Sequence, residues 1–251
     1  MNKIEVKILN PDVIKESEKM MVCAARLTQR GEKINSLEDF MNLYEKEYSQ
    51  KTVENMVNLP HPTIQKFGVI NLVVVGASQR FLRQITRHQN EVKFMSASLQ
   101  YSDYSDNNNF CIPYELLGNT EGINNYISSC KESMNNYKEL IKSGVNNDTA
   151  GYLSPQGLRN VLIISATPYQ LKHMISQRVC KRNTTETQYV MLKIWEALYN
   201  INPILFNQTT TGPFCMKGIC REGKMSCGKP INNLLTPDSI LRKEFPKIYD
   251  K

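Results

Sequence analysis

One passage constrains this chain more than any other. An apolar run rich in β-branched residues, Phe67 to Val75, leads through Gly76 and Ser78 into Arg83–Gln84–Ile85–Thr86–Arg87–His88–Gln89. The run reads as a buried strand, since branched side chains suit a pleated, covered surface. Gly76 and Ser78 mark the passage into a helix. With residues 78–88 helical, Gln84, Arg87 and His88 share one face at i, i+3 and i+4. That face offers a planar donor fork, an amide and an imidazole, which suits an anion bearing a flat ring, such as a nucleotide or a flavin. Met95–Ser96–Ala97–Ser98–Leu99–Gln100–Tyr101 follows and adds hydroxyls and a further amide.

The 251 residues suffice for one sizeable domain, and 41% hydrophobic against 22% charged residues predicts a packed globule rather than disorder. A net charge of +7 favours anionic partners without choosing among them. No Lys/Arg block interleaved with aromatic residues marks a nucleic-acid face, so no nucleic acid is expected as partner. No apolar run reaches the ~18 residues that span a bilayer, and Met1–Val6 has no signal-peptide core, so a cytoplasmic protein is expected. The seven cysteines, an odd count, argue against a disulfide framework.

Ile4, Val6 and Ile8 alternate with charged residues as a short strand does. A helix follows Pro11–Asp12 as far as Arg26. Ser36 with Asp39 resembles a capping box opening a second helix. Its stripe of Leu37, Phe40, Met41, Tyr44 and Tyr48 is expected in the core. Residues 102–113 read as a loop, and Ile123 to Leu140 as a long amphipathic helix ending near Gly144. Asn146 to Gly157 reads as a polar connection, and Met191 to Leu198 as a further amphipathic helix. No linker splits the chain. A single domain over 1–251 is expected, with a cysteine-containing tail from about 205.

In the helix between these, Leu171, Met174, Ile175 and Arg178 occupy i, i+3, i+4 and i+7. Arg178 thus falls on an apolar stripe, where an unpaired guanidinium is very costly. An internal carboxylate or a ligand pairs with it, or it snorkels at the helix edge.

At these residues the chain resembles the flavin-dependent thymidylate synthases. Their signature runs Arg-His-Arg, seven residues, then Ser, with a Gln three residues before the first Arg. Gln84, Arg87 and His88 match its start. Ser98–Leu99–Gln100–Tyr101 matches its end with one residue inserted. His61–Pro62–Thr63, Gly157–Leu158–Arg159–Asn160–Val161–Leu162 and Leu171–Lys172–His173–Met174–Ile175–Ser176–Gln177–Arg178 resemble further family segments in the family's order. Gly212–Pro213–Phe214–Cys215 and Glu222 to Gly228 resemble the cysteine-bearing tail of one branch.

The resemblance implies an α+β fold with a central, mostly antiparallel sheet flanked by long helices. It implies a cytoplasmic homotetramer with shared active sites. The activity implied is FAD-dependent reductive methylation of dUMP to dTMP, with methylenetetrahydrofolate and NADPH as co-substrates. Arg178 would be catalytic, stabilising negative charge on the pyrimidine. Gln84, Arg87, Ser96, Ser98, Gln100, Arg159 and Arg178 would bind the nucleotide. His61, Thr63, Arg87, His88, Gln89 and His173 would bind FAD. No metal is implied. Cys215, Cys220 and Cys227 lack the tight pairs of a zinc site and read as reduced structural thiols, with a metal knuckle or a redox pair as the alternative.

Several positions depart from the family pattern. Gln89 replaces the second signature Arg, Gln100 the Arg before Tyr101, and Tyr169 an Arg that helps bind FAD. Thr167 stands in place of an Asn. Each charged hydrogen bond lost is worth on the order of 1.5–3 kcal/mol, and Arg83, Lys93 and Lys172 are the candidates to compensate. Two alternatives follow: a flavoenzyme modifying another pyrimidine nucleotide, or a catalytically silent nucleotide- or nucleic-acid-binding homologue.

Overall fold

The structure is a computed structural model that describes residues 4–218 and 220–249. The leader reading at residues 1–3 lies outside them. In chain order the elements are β1 (Glu5–Ile8), α1 (Asp12–Arg30), α2 (Leu37–Glu45), α3 (Gln50–Val57), β2 (Ile70–Ser78), α4 (Gln79–Ile85) and β3 (Val92–Ser96). They continue with α5 (Thr120–Lys142), α6 (Asn147–Ala150), β4 (Arg159–Ala166), α7 (Pro168–Arg178), α8 (Thr185–Ile201), α9 (Pro237–Glu244) and α10 (Pro246–Tyr249). The strands form one sheet in the order β1-β2-β4-β3, every pair antiparallel. This is the α+β architecture that the resemblance implies.

Alternation along the strands decides what the sheet covers. Ile70, Leu72 and Val74 of β2 and Leu162, Ile164 and Ala166 of β4 point to one face and are buried. Leu171, Met174 and Ile175 of α7, and Val190, Met191, Ile194, Trp195 and Leu198 of α8, complete the same core. The tail belongs to it too: Leu205, Phe206, Met216, Ile240, Leu241 and Phe245 are buried there. Trp195 Nε1 donates to the Phe206 carbonyl at 2.9 Å, which satisfies the one polar group of a fully buried indole. A smaller core of Tyr104, Phe110, Cys130, Met134, Tyr137, Ala150 and Leu158 lies under α5.

The opposite face of the sheet has an exposed apolar centre, bordered by Glu5 and Lys7 of β1 and by Lys93 of β3. Val75 pairs with Val161, and Ile163 sits between Val73 and Met95. Ile163 is 42% exposed and Met95 72%. A contiguous patch of this kind marks a surface of association.

Four expectations need correction. The strand read at Phe67–Val75 is shifted and runs Ile70–Ser78, with a bulge between Val75 and Ala77 where Gly76 adopts φ +87°. The connection after Asn146 contains α6, capped by the Asn146 side chain. The stripe on α2 is not core: only Leu43 is buried on that helix, Leu37 is 77% exposed, and Tyr48 lies beyond the helix end. The capping box at Ser36 and Asp39 forms as read, because it depends on local geometry alone.

The fourth correction concerns the helix read over 78–88. It stops at Ile85. The Thr86 hydroxyl and amide both bond back to the Leu82 carbonyl, and the His88 amide bonds to the Ile85 carbonyl. The chain therefore turns sharply at Thr86. His88 goes inward, while Arg87 and Gln89 are left exposed.

Candidate active site

The C-terminal end of α7 gathers the polar centre. Thr167 caps α7 by accepting from the Gln170 amide, and Pro168 fits the first helical turn, where its missing N–H costs nothing. The helix then carries His173 at its middle and Arg178 at its last position, both half-buried. No carboxylate pairs with Arg178 among the described residues. Its Nε donates to His88 Nε2 at 2.9 Å, and Nη1 donates to Asn183 Oδ1 at 3.3 Å. Asn183 is itself fixed by donating to the Gln177 and Cys180 carbonyls. The His88 and His173 rings meet edge to face at 6.2 Å.

His88 can accept from an arginine only as a neutral imidazole with a free Nε2 lone pair. Burial first, then the Arg178 charge, then His173 push its pKa down to about 4. The unfolded imidazole titrates near 6.5, so below that pH the unfolded chain takes up a proton that the folded chain refuses. Stability is therefore lost as pH falls from about 6.5 towards 4, by roughly 3 kcal/mol over the whole window from this group. Urea unfolding at pH 7.5 and pH 4.5 is expected to show a smaller drop for His88→Gln than for the parent chain. Parallel drops would remove His88 as the cause.

Gln84 is anchored by its carbonyl oxygen, which accepts from the Thr187 and Thr184 hydroxyls at 2.6 and 3.0 Å. Its amide N–H groups find no protein partner among the described residues. Behind it, the Glu186 carboxylate accepts from the Ser78 amide, the Ser78 hydroxyl and the Cys111 thiol. One carboxylate thus ties α8 to the end of β2 and to the start of α4.

The other sequence-predicted residues stand on other elements. Arg159 opens β4 opposite Ser78, and its Nε donates to the Phe110 carbonyl at 3.1 Å. It lines a cavity of about 350 Å³ with Ala97 and Asn160. Ser96 is exposed at the end of β3, and the half-buried Ser98 accepts from the amide of exposed Gln100. His61 and Thr63 are exposed at the short turn Pro62–Gln65. Within one chain His88, His173 and Arg178 meet, Gln84 is held by Thr184 and Thr187, Arg159 lies beside Ala97, and His61 and Thr63 stand at the turn whose Gln65 bonds Lys172 of α7.

Two cavities flank α7. One of about 460 Å³ is lined by Arg178 and Asn183 together with Cys180, Cys215, Cys220 and Cys227. The tail's three thiols are thus joined by a fourth, all unpaired, and burial holds Cys180 above the usual thiol range. Among the described residues no three His, Cys, Asp or Glu side chains are gathered to hold a metal ion. The other cavity, of about 470 Å³, is lined by His173, Tyr169, Lys172, Lys217 and Arg221. Asn183, Lys217 and Arg221 were not singled out in the sequence as site residues. Lys172 was named there only as a cation able to compensate for lost arginines. Among the described residues no helix is long and apolar enough to cross a membrane.

The fold and these side chains define an α+β protein whose cation, imidazole and amide groups suit an anionic, planar ligand. Residues 11–204 match the family described as "Thymidylate synthase complementing protein", and the chain belongs to that family of flavin-dependent thymidylate synthases. It is an enzyme of the methyltransferase class. A flavin-dependent thymidylate synthase of Thermococcus onnurineus is 26% identical over 195 residues, 75% of this chain and 78% of that protein. Two solved structures share the fold. A UMP/dUMP methylase, PolB, from Streptomyces cacaoi, bound with 5-Br dUMP, superposes with TM-score 0.67 at 15% identity, covering 83% of this chain and 95% of its own. Thymidylate synthase X of Helicobacter pylori, with FAD and dUMP, gives TM-score 0.55 at 16% identity, covering 81% and 97%.

Proposed function

We propose that the protein catalyses FAD-dependent reductive methylation of dUMP to dTMP, with methylenetetrahydrofolate as carbon donor and NADPH as reductant. The observation that carries this reading is Arg178: half-buried, without a carboxylate partner among the described residues, and aimed by a neutral histidine and an asparagine. A guanidinium held this way retains N–H groups for a ligand that brings its own negative charge. Placed against the pyrimidine N3 and carbonyl oxygens, it stabilises the charge that makes C5 nucleophilic. FAD, when bound, supplies the hydride for C6. No side-chain nucleophile is required, so Ser98 serves as a binding hydroxyl.

In this reading Gln84, Arg87, Ser96, Ser98, Gln100 and Arg159 hold the nucleotide. His88, His173, Arg87, Gln89, Thr63 and His61 line the flavin. Their spread over several elements and the exposed apolar centre of the sheet face both favour a homotetramer whose sites are completed between copies. The seven unpaired thiols fit a reducing, cytoplasmic setting.

Purified protein is expected to be yellow with bound FAD and to oxidise NADPH faster once dUMP is added. Protein that cannot be reconstituted with FAD would end the reading. The Streptomyces neighbour, described as acting on UMP as well as dUMP, favours a second substrate, as do Gln89 and Gln100 in place of arginines. NADPH oxidation stimulated by UMP and not by dUMP would move the assignment to that pyrimidine.

A further inference from the structure

Lys172 is 5% exposed and sits on α7 between the core and the cavity of about 470 Å³. Its Nζ donates to Gln65 Oε1 at 2.8 Å, and Gln65 is held in turn by donating to the Val57 carbonyl. No carboxylate pairs with Lys172 among the described residues; the other contact of its ammonium is the Phe206 ring, 5.8 Å away. Burial, then Lys217, push its pKa down to about 7. A buried ammonium without a counter-charge is among the costlier arrangements a fold can carry.

The rest of the cavity repeats the pattern. Lys217 stands at its rim, lowered first by partial desolvation and then by Arg221. The Arg221 guanidinium stacks on the Phe214 ring at 3.8 Å, which fixes its plane and leaves its edge open. The hydroxyls of Ser176, Thr209 and Thr210 also line the space, and no Asp or Glu does. Lys66 approaches Tyr169 from outside, but it is already paired with Glu91. Lys172, Lys217 and Arg221 thus converge with hydroxyl donors on one space, which no Asp or Glu of the described residues lines, and Arg221 also borders the cavity of Arg178.

We propose that this cavity is a diphosphate site, in which Lys172, Lys217 and Arg221 hold the phosphates of the flavin dinucleotide. The inference rests on the proposed function for the identity of the ligand. The cations, the hydroxyls and the lack of carboxylates define the phosphate chemistry by themselves. A diphosphate supplies the missing counter-charge and draws Lys172 into its charged form.

The test compares the parent chain, Lys172→Met and Arg221→Gln for binding of FAD, ADP and NADPH, read by flavin fluorescence and calorimetry. Each substitution is expected to weaken FAD and ADP by roughly tenfold or more, as loss of a charge-assisted phosphate contact does. Without ligand, the melting temperature of Lys172→Met is expected to equal or exceed that of the parent, because a buried uncompensated charge is replaced by an apolar chain of similar length. Unchanged FAD and ADP affinity in both variants would overturn the site. Weakened NADPH binding with FAD untouched would overturn the flavin assignment and give the site to the reductant. Failure of the parent chain to bind FAD would count against the proposed function instead, so the two failures are distinguishable.

Discussion

Arg178→Ala is expected to reduce turnover by about a hundredfold to a thousandfold or more, the range found when one charge-stabilising donor is removed from an active site. FAD binding is expected to change less than turnover, because Lys172 and Lys217 line the neighbouring cavity and not the one that Arg178 enters, while Arg221 borders both. The distinction rests on geometry. Arg178 enters its cavity at the end of the helix, fixed from behind by His88 and Asn183. Lysine at this position keeps the charge but loses the fork that both partners hold, so Arg178→Lys is expected to recover only a small part of the loss. Steady-state rates with FAD titrated by fluorescence check both expectations. Full activity in Arg178→Ala would remove the residue from the chemistry.

The second large effect concerns assembly. Ile163→Asp is expected to turn an assembled protein into a monomer and to abolish turnover. Ile163 sits among Val73, Val75, Val161 and Met95 at the apolar centre of this face, with Lys7 and Lys93 further out, so a carboxylate there removes the apolar contact that an interface would bury. The chain itself is expected to stay folded. Ile163 is 42% exposed in the single copy and lies on the face opposite the core. Light scattering after size exclusion gives the mass, circular dichroism the fold, and NADPH oxidation the activity. A variant that keeps the parent's mass would show that this face is not the interface. A monomer with full activity would show that the site needs no second copy.

Much of the frame was legible because it is written in short-range chemistry. The capping box at Ser36, the alternation in β1 and the apolar stripes of α5, α7 and α8 each need only a few neighbouring residues to be read. Arg178 was legible for the same reason, since its neighbours at i−3, i−4 and i−7 are apolar. What pairs with it was not legible: His88 lies 90 positions away in sequence, and the meeting depends on how α4 ends. That ending turns on one hydroxyl, Thr86, which competes for a backbone carbonyl and stops a helix that periodicity alone would continue. β4 was quoted as a motif and not read as a strand, although it is the central partner of both β2 and β3. The stripe on α2 misled because apolar periodicity reports that a face wants cover, not that the same chain supplies it. Lys217 and Arg221 gave no pattern at all. They become a site only where the tail folds back beside α7.

That return of the tail has a consequence for the order of events in the cell. Phe206 receives the Trp195 indole bond, and Phe245 packs its ring against Tyr114 and Tyr189. The main core cannot close until translation has run past Phe245. Until then the apolar faces of α7 and α8 emerge with part of their cover still unmade, which exposes nascent chains to chaperones and leaves products of premature termination without a closed interior.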